Sequence, residues 1–239
     1  MKRITFLTLC SIAILGSVSC TKEVINGSGP EITQERSAAN FTAIDLLMNA
    51  TVHYTEGTGV KVDIRAQQNV ANEIITDVSN NRLIVRLPAD TRLVSYSPIN
   101  IYITAPAVSD FNLSSSGSIE ATNMLHADNT DFNISGSGSI TVAGVTTNDI
   151  DARVSGSGKV IISSGTSTTV ETNISGSGNI DIVNVVAKNG IAFISGSGES
   201  KLNVSDELEA HISGSGKIYY KGNPVINSHI SGSGKLVHL

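Results

Sequence analysis

A four-residue phrase, Ser-Gly-Ser-Gly, begins at Ser135, Ser155, Ser175, Ser195, Ser213 and Ser231, and a degenerate Ser-Ser-Ser-Gly begins at Ser114. Successive starts lie 21, 20, 20, 20, 18 and 18 residues apart. A unit of this size cannot bury an apolar face alone, so the repeats must stack and bury that face against one another. The residue before each phrase is Leu113, Ile134, Val154, Ile174, Ile194, Ile212 or Ile230, an unbroken apolar column. Five residues after each start come Ile119, Ile140, Val160, Ile180, Ser200, Ile218 and Leu236, interrupted only by Ser200. Two further on come Ala121, Val142, Ile162, Ile182, Leu202, Tyr220 and His238. Apolar and polar residues alternate on both sides of the phrase with the period of a strand.

The reading is an all-β chain forming a parallel β-helix of about seven coils, with equivalent residues about 4.8 Å apart up the stack. A leucine-rich repeat has a similar period, but its leucine framework, its asparagine and its helix-forming segments are missing. The motif glycines Gly136, Gly138, Gly156, Gly158, Gly176, Gly178, Gly196, Gly198, Gly214, Gly216, Gly232 and Gly234 are assigned to a corner where the backbone turns sharply and coils approach closely. The serines are expected to form two columns whose hydroxyls bond the turn backbone or each other.

Composition narrows the partners. Charged residues are 15% and apolar ones 40%, which excludes a disordered chain. A net charge of −5 without a basic run gives no electrostatic footprint for nucleic acid.

The start of the chain reads as an export signal. Lys2 and Arg3 precede an apolar stretch over residues 4–15, too short to span a bilayer as a helix. Small residues Gly16, Ser17 and Ser19 then lead to Cys20. The segment resembles a bacterial lipoprotein signal, although Ser17 stands where the stricter consensus has leucine. Residues 1–19 are therefore assigned as signal peptide, with Cys20 as the lipidated mature end. Residues 20–37, polar and containing Gly27, Gly29 and Pro30, are assigned as a flexible tether. Removal of Cys10 with the signal leaves Cys20 alone, so disulfides do not hold the fold.

Residues 38–239 are expected to form one domain. Within residues 38–110, strands are predicted near 41–44, 60–64, 74–75, 83–87 and 99–103, with turns at Pro88, Pro98 and Pro106. This part is expected to be the irregular start and cap of the solenoid whose repeats run over 111–239.

The order of signal, lipid-type cysteine, strand-rich lead and reiterated Ile-Ser-Gly-Ser-Gly-x-Ile resembles the auto-transporter adhesin head GIN domain family over roughly residues 38–237. The resemblance implies a right-handed β-helix and an exported, often lipid-anchored protein of Bacteroidetes-like bacteria. It supplies no catalytic residues. The expected location is the cell envelope, attached through the lipid to the outer membrane, with its periplasmic or surface face left open.

No catalytic residue, cofactor or metal is assigned. Calcium-binding β-rolls need a carboxylate ladder beside the glycines, but Ser139, Lys159, Asn179, Glu199, Lys217 and Lys235 follow the motifs. Asp181, Glu199 and Lys201 read as a solvated face, and His211 above His229 lacks a third metal ligand. The column two residues before each motif holds Asn112, Asn133, Arg153, Asn173, Phe193, His211 and His229, varied where the serine columns are uniform. Arg153, Phe193, His211 and His229 are the candidate ligand-binding residues. Three functions follow: a surface adhesion or binding module with a glycan or envelope protein as partner, a structural envelope lipoprotein, and, last, a glycan-active enzyme.

Overall fold

Alternation fixes each coil. In the strand Asn129–Gly136, Thr130, Phe132 and Ile134 point inward and are buried, while the residues between them face out. After the Ser137-Gly138 corner, Ser139–Thr146 sends Ile140, Val142 and Val145 into the same core. The computed structural model describes residues 23–239, and these form a β-solenoid of about six turns. One side stacks Asp110–Leu113, Asn129–Gly136, Asp149–Gly156 and Gly165–Gly176, then parts of Asn179–Gly196 and Glu199–Gly214, and finally Val225–Gly232, all parallel. The motifs register one on another: Ile134 pairs with Val154, Val154 with Ile174, Ile174 with Ile194 and Ile194 with Ile212.

The turn count is slightly below the seven motif starts. Ser231 is followed by one further strand, Lys235–His238, which completes no turn. The two shorter spacings are absorbed away from the glycine corner. Between the coils of residues 179–196 and 199–214, register shifts fall between Asp181 and Val186 and between Ala187 and Asn189. The motif corners stay aligned, with Gly196 opposite Gly214.

The two motif glycines have separate reasons. Gly156 has φ +124° and an added Cβ would lie 2.5 Å from the carbonyl oxygen of Gly136, so both conformation and contact demand glycine. Gly158 has no positive φ, but its Cβ would strike Ile134 Cγ2 at 2.5 Å in the coil below. The corner also keeps the backbone ladder unbroken: the Ser157 N–H donates to Gly136 O and the Lys159 N–H to Gly138 O, each at 3.0 Å. The serine side chains do not fulfil the expected bonding role. Among the described residues, the hydroxyls of the six Ser-Gly-Ser-Gly motifs make no hydrogen bond to protein groups, because the backbone ladder already satisfies the turn and the hydroxyls face water.

One expectation for the N-terminal part needs correction. Residues 23–36 are no free tether: Glu23–Ile25 pairs parallel with Thr91–Leu93, and Glu31–Arg36 pairs antiparallel with Lys61–Gln67. Alternation in Glu31–Arg36 lets Ile32 pack on the core, which the polar composition concealed. The N-terminal coils are not stacked in chain order. Ala43–Leu46 lies between Arg82–Arg86 on one side and Asp110–Leu113 on the other. Thr51–Glu56 likewise lies between Asn100–Ala105 and Ser118–His126. The chain therefore makes a coil, turns back to build the coil beneath it, then crosses over to continue above.

Side chains pin that crossover. Tyr54 is fully buried against Phe111, and its hydroxyl donates to Ala105 O at 2.9 Å while accepting from the Val108 N–H at 3.1 Å. Burial pushes the Tyr54 hydroxyl up to about 12. On the outer surface, Arg82 donates to both carboxylate oxygens of Asp45 at 2.9 and 2.6 Å and to Asp110 at 2.7 Å. One guanidinium thus spans the three coils that the chain visits out of order. The end beyond Arg82–Arg86 is covered by antiparallel strands and by the helix Gln68–Glu73, which buries Val70 and Ala71.

Candidate binding surface

The outward residues of the side formed by Asn129–Gly136 and its equivalents make two columns. One holds Asn112, Asn133, Arg153, Asn173, Phe193, His211 and His229; the other holds Asp110, Asp131, Asp151, Glu171, Ile191, Glu209 and Asn227. The structure places the four predicted ligand-binding residues in the first column but divides them. Phe193 stacks on His211 with ring centroids 4.8 Å apart and planes inclined by 15°, and His211 on His229 at 5.1 Å and 20°. The centroid distances follow the strand spacing of about 4.8 Å, so the backbone register itself holds the rings face to face. Asn173 precedes this stack, and Ser195 and Ser213 edge it, lining an open cleft of about 410 Å³.

Arg153 lies in the other half of the column. It forms an ion pair with Asp151 and lines a second shallow cleft of about 290 Å³ with Asn112, Asn133 and Ser155. One column is therefore amide- and guanidinium-edged in its lower half and aromatic in its upper half. Because the rings stack on one another, they present mainly their edges outward. His211 Nε2 lies 2.6 Å from Glu209 Oε1, which orients the imidazole.

The acidic column was not singled out by sequence reading, although Asp110, Asp131, Asp151 and Glu171 recur four, four, four and four residues before successive motifs. Carboxylates stacked at strand spacing repel and lose water. Burial raises the Asp131 carboxyl, with the Asp110 charge adding. Burial pushes Asp151 up to about 6; Arg153 opposes this, while Glu171 and Asp131 add to it. Asp151 Oδ1 is buried without a hydrogen-bond partner, which accounts for the weight of desolvation there.

On the next side, Lys201 Nζ meets Asp181 Oδ2 at 3.4 Å, an ion pair between adjacent coils. Among the described residues no group of three or more His, Cys, Asp or Glu side chains could hold a metal ion. Cys20 and the predicted signal peptide, residues 1–19, lie outside the described residues.

Solved structures share this architecture. An adhesin from Bacteroides fragilis, described as putative, is 25% identical, with a TM-score of 0.84 over 90% of this chain and 100% of that one. A putative adhesin from Parabacteroides merdae is 18% identical, with a TM-score of 0.74 over 90% of this chain and 99% of that one. A protein from Parabacteroides distasonis described as a putative lipid binding protein is 21% identical, with a TM-score of 0.76 over 91% and 100%. No curated protein matches the chain. The pattern of the family that the repeats resemble matches residues 40–224, most of the solenoid. The chain belongs to the family described as putative auto-transporter adhesin, head GIN domain.

Proposed function

We propose that the chain is an exported, lipid-anchored module that binds a polymer or an envelope partner along one side of its solenoid, without turnover. The observation that carries this reading is the continuous stack Phe193–His211–His229 in an open cleft, with Asn173 and the motif serines beside it. Weak contacts repeated at about 4.8 Å add along a ligand that is itself repetitive, so a modest contact per coil suffices for useful affinity. Ring edges, imidazole nitrogens and amides suit hydroxyl- or carboxylate-bearing chains such as glycans. Membership in an adhesin-like family supports an exported or cell-surface setting and a binding role over catalysis. Lipidation at Cys20 rests on the signal-like residues before it.

Glycan arrays and envelope pull-downs with residues 23–239 test the surface. Wild type should bind, Phe193→Ala and His211→Ala should lose at least tenfold in affinity, and Arg153→Ala should lose less, since Asp151 already holds its guanidinium. Binding unchanged in all three discards this side, and cleavage of any offered glycan overturns the non-enzyme reading. For the anchor, Cys20→Ala should move the protein from membrane to soluble fractions; an unmodified mature end elsewhere, read by mass spectrometry, contradicts it.

A further inference from the structure

The glycine corner is not the same at every coil. In the repeats it takes two residues, as Ser157 and Gly158 do between Asp149–Gly156 and Lys159–Ile162. In the coil of Arg82–Arg86 and Asn100–Ala105 the same corner is drawn out into a loop over residues 87–99. Insertions in a solenoid collect as loops on one face, and that face is often the one that binds. This loop is held in place from the chain's own start. Thr91–Leu93 pairs with Glu23–Ile25, the Val94 N–H donates to Ile25 O and the Gly27 N–H to Ser95 O, each at 2.9 Å. The Ser97 N–H donates to Gln67 Oε1, also at 2.9 Å.

The loop makes a groove out of an otherwise open corner. Tyr96 and Pro98 of the loop and Asn49 of the next coil line one end, and the Tyr96 hydroxyl accepts from Asn49 Nδ2 at 3.2 Å. Ser116, Ser137 and Ser157, on three successive coils, line its length, and Lys159 stands at the far end; the volume is about 400 Å³. Register sets that length: Asn100, Thr51, Ser118, Ser139 and Lys159 stack in order, four strand spacings or about 19 Å. The hydroxyls of Ser116, Ser137 and Ser157 make no hydrogen bond to protein groups. No Asp or Glu lines the groove, and among the described residues Lys159 has no ion-pair partner, whereas Lys201 is held by Asp181. The apolar residues beneath it, Ala50 and Ile99, are buried and offer no anchor for an apolar side chain.

We propose that this groove is a second binding site, which takes a short run of an acidic saccharide, a sugar chain that carries a carboxylate. Free hydroxyls both donate and accept, as sugar hydroxyls do, so a row of them along the floor matches a hydroxyl-rich chain at several points. The Lys159 ammonium supplies a charge-assisted bond to the carboxylate, and the absence of lining carboxylates leaves that charge uncompensated until the ligand arrives. Hydrogen bonds tie the loop to the fold before any ligand binds, which lowers the ordering cost of binding. The groove is separate from the aromatic surface proposed above. Phe193 lies two register steps beyond Arg153, through Asn173, and on the strand that precedes the corner, not the one that follows it.

Isothermal titration calorimetry on the full chain in detergent tests the site with trigalacturonate and sialyllactose. Each is set against a neutral counterpart, the methyl ester of the first and lactose for the second. Wild type should bind at least one acidic probe and bind its neutral counterpart much more weakly. Lys159→Gln should weaken the acidic probe about tenfold, as loss of a charge-assisted bond does, while Lys159→Arg keeps the affinity. Ser137→Leu, at an exposed position, should fill the groove and abolish binding with a melting curve close to wild type, whereas Ser197→Leu, at the same corner position higher in the stack, should change nothing. Failure of both acidic probes overturns the proposal, as does equal binding of the neutral counterparts or binding that survives Ser137→Leu. Inorganic phosphate that binds as tightly as the oligosaccharides makes the groove a bare anion site and overturns the sugar assignment. Phe193→Ala keeps this reading apart from the aromatic surface: it should leave the acidic probe bound, and a loss there moves the acidic sugar to the Phe193 column and ends the proposal for the groove.

Discussion

The repeated coils and the N-terminal coils enclose one core but hold their order by different means. From Asn129 onward, successive coils are near copies, so register follows from stacking like on like: Ile on Val, Gly on Gly. A slip of one residue would turn every inward side chain outward, which makes repetition sufficient to specify position. The coils at residues 43–56 and 82–105 have no such similarity to lean on, and the chain visits them out of spatial order. Individual side chains fix them instead, Tyr54 from inside and Arg82 from outside. Repetition distributes specificity over many weak terms, whereas the crossover concentrates it in a few residues.

The sharpest way to break this comparison is to injure each region by its own logic. Ile174 is fully buried between Val154 and Ile194, so Ile174→Ala should cost about 2–4 kcal/mol by chemical denaturation, while its outward neighbour Asn173→Ala should cost about 0.5 kcal/mol or less. Equal midpoints would mean that the inward and outward columns are misplaced. Tyr54→Phe keeps the ring but strips the hydroxyl from the Val108 N–H, a buried donor, and should cost about 1–2 kcal/mol. Hydrogen exchange should locate that loss at residues 105–110, and unchanged exchange there would remove Tyr54 from the role of crossover pin.

The sequence made the repetitive half legible because one motif and three columns carry the same message at every coil. Leu113 to Ile212 lie inside as alternation requires, while Ile230, in the last described coil, is 43% exposed. The N-terminal half was legible as strands but not as an arrangement. Nothing in residues 41–44 or 83–87 says which stacks beneath which, since that order is decided by contacts such as Arg82 with Asp110, 28 residues apart. Glu31–Arg36 was hidden for a related reason: its pairing with Lys61–Gln67 is non-local, and its outward residues are polar. In the candidate site, the column of Arg153, Phe193, His211 and His229 followed from period alone, but the Asp151 contact that divides Arg153 from the rings depends on side-chain geometry.

An exception inside the repeats sharpens the comparison further. Ser200 breaks an otherwise apolar column, yet it is fully buried, and its hydroxyl lies 2.9 Å from that of Thr172 across the core. The repeated half thus contains one specific polar pair of the kind that governs the crossover. Ser200→Ala alone should cost about 1 kcal/mol, because it leaves the Thr172 hydroxyl buried without a partner. Thr172→Val combined with Ser200→Ala should recover most of that loss, since both polar groups are then gone. Additive losses in the double variant would show that the two hydroxyls contribute separately.

The smallest expected effect tests what stacking costs when the repeated residue is charged. Asp151 sits between Asp131 and Glu171 with one oxygen buried and unpartnered, and its carboxyl is pushed up to about 6. In the unfolded chain an aspartate titrates near 3.9, so between about pH 4 and 6 the folded state binds more protons than the unfolded state. Stability contributed here is greatest below about pH 4, falls as pH rises to about 6 and is level above that. Partial exposure and the Arg153 pair screen the effect, leaving about 1 kcal/mol. Asp151→Asn should flatten that slope while preserving the column, and its gain over wild type should be larger at pH 7 than at pH 4. Denaturation midpoints at the two pH values measure the difference. If both proteins lose the same stability over that interval, the titration belongs to other carboxylates, and stacking like on like carries no penalty at this coil.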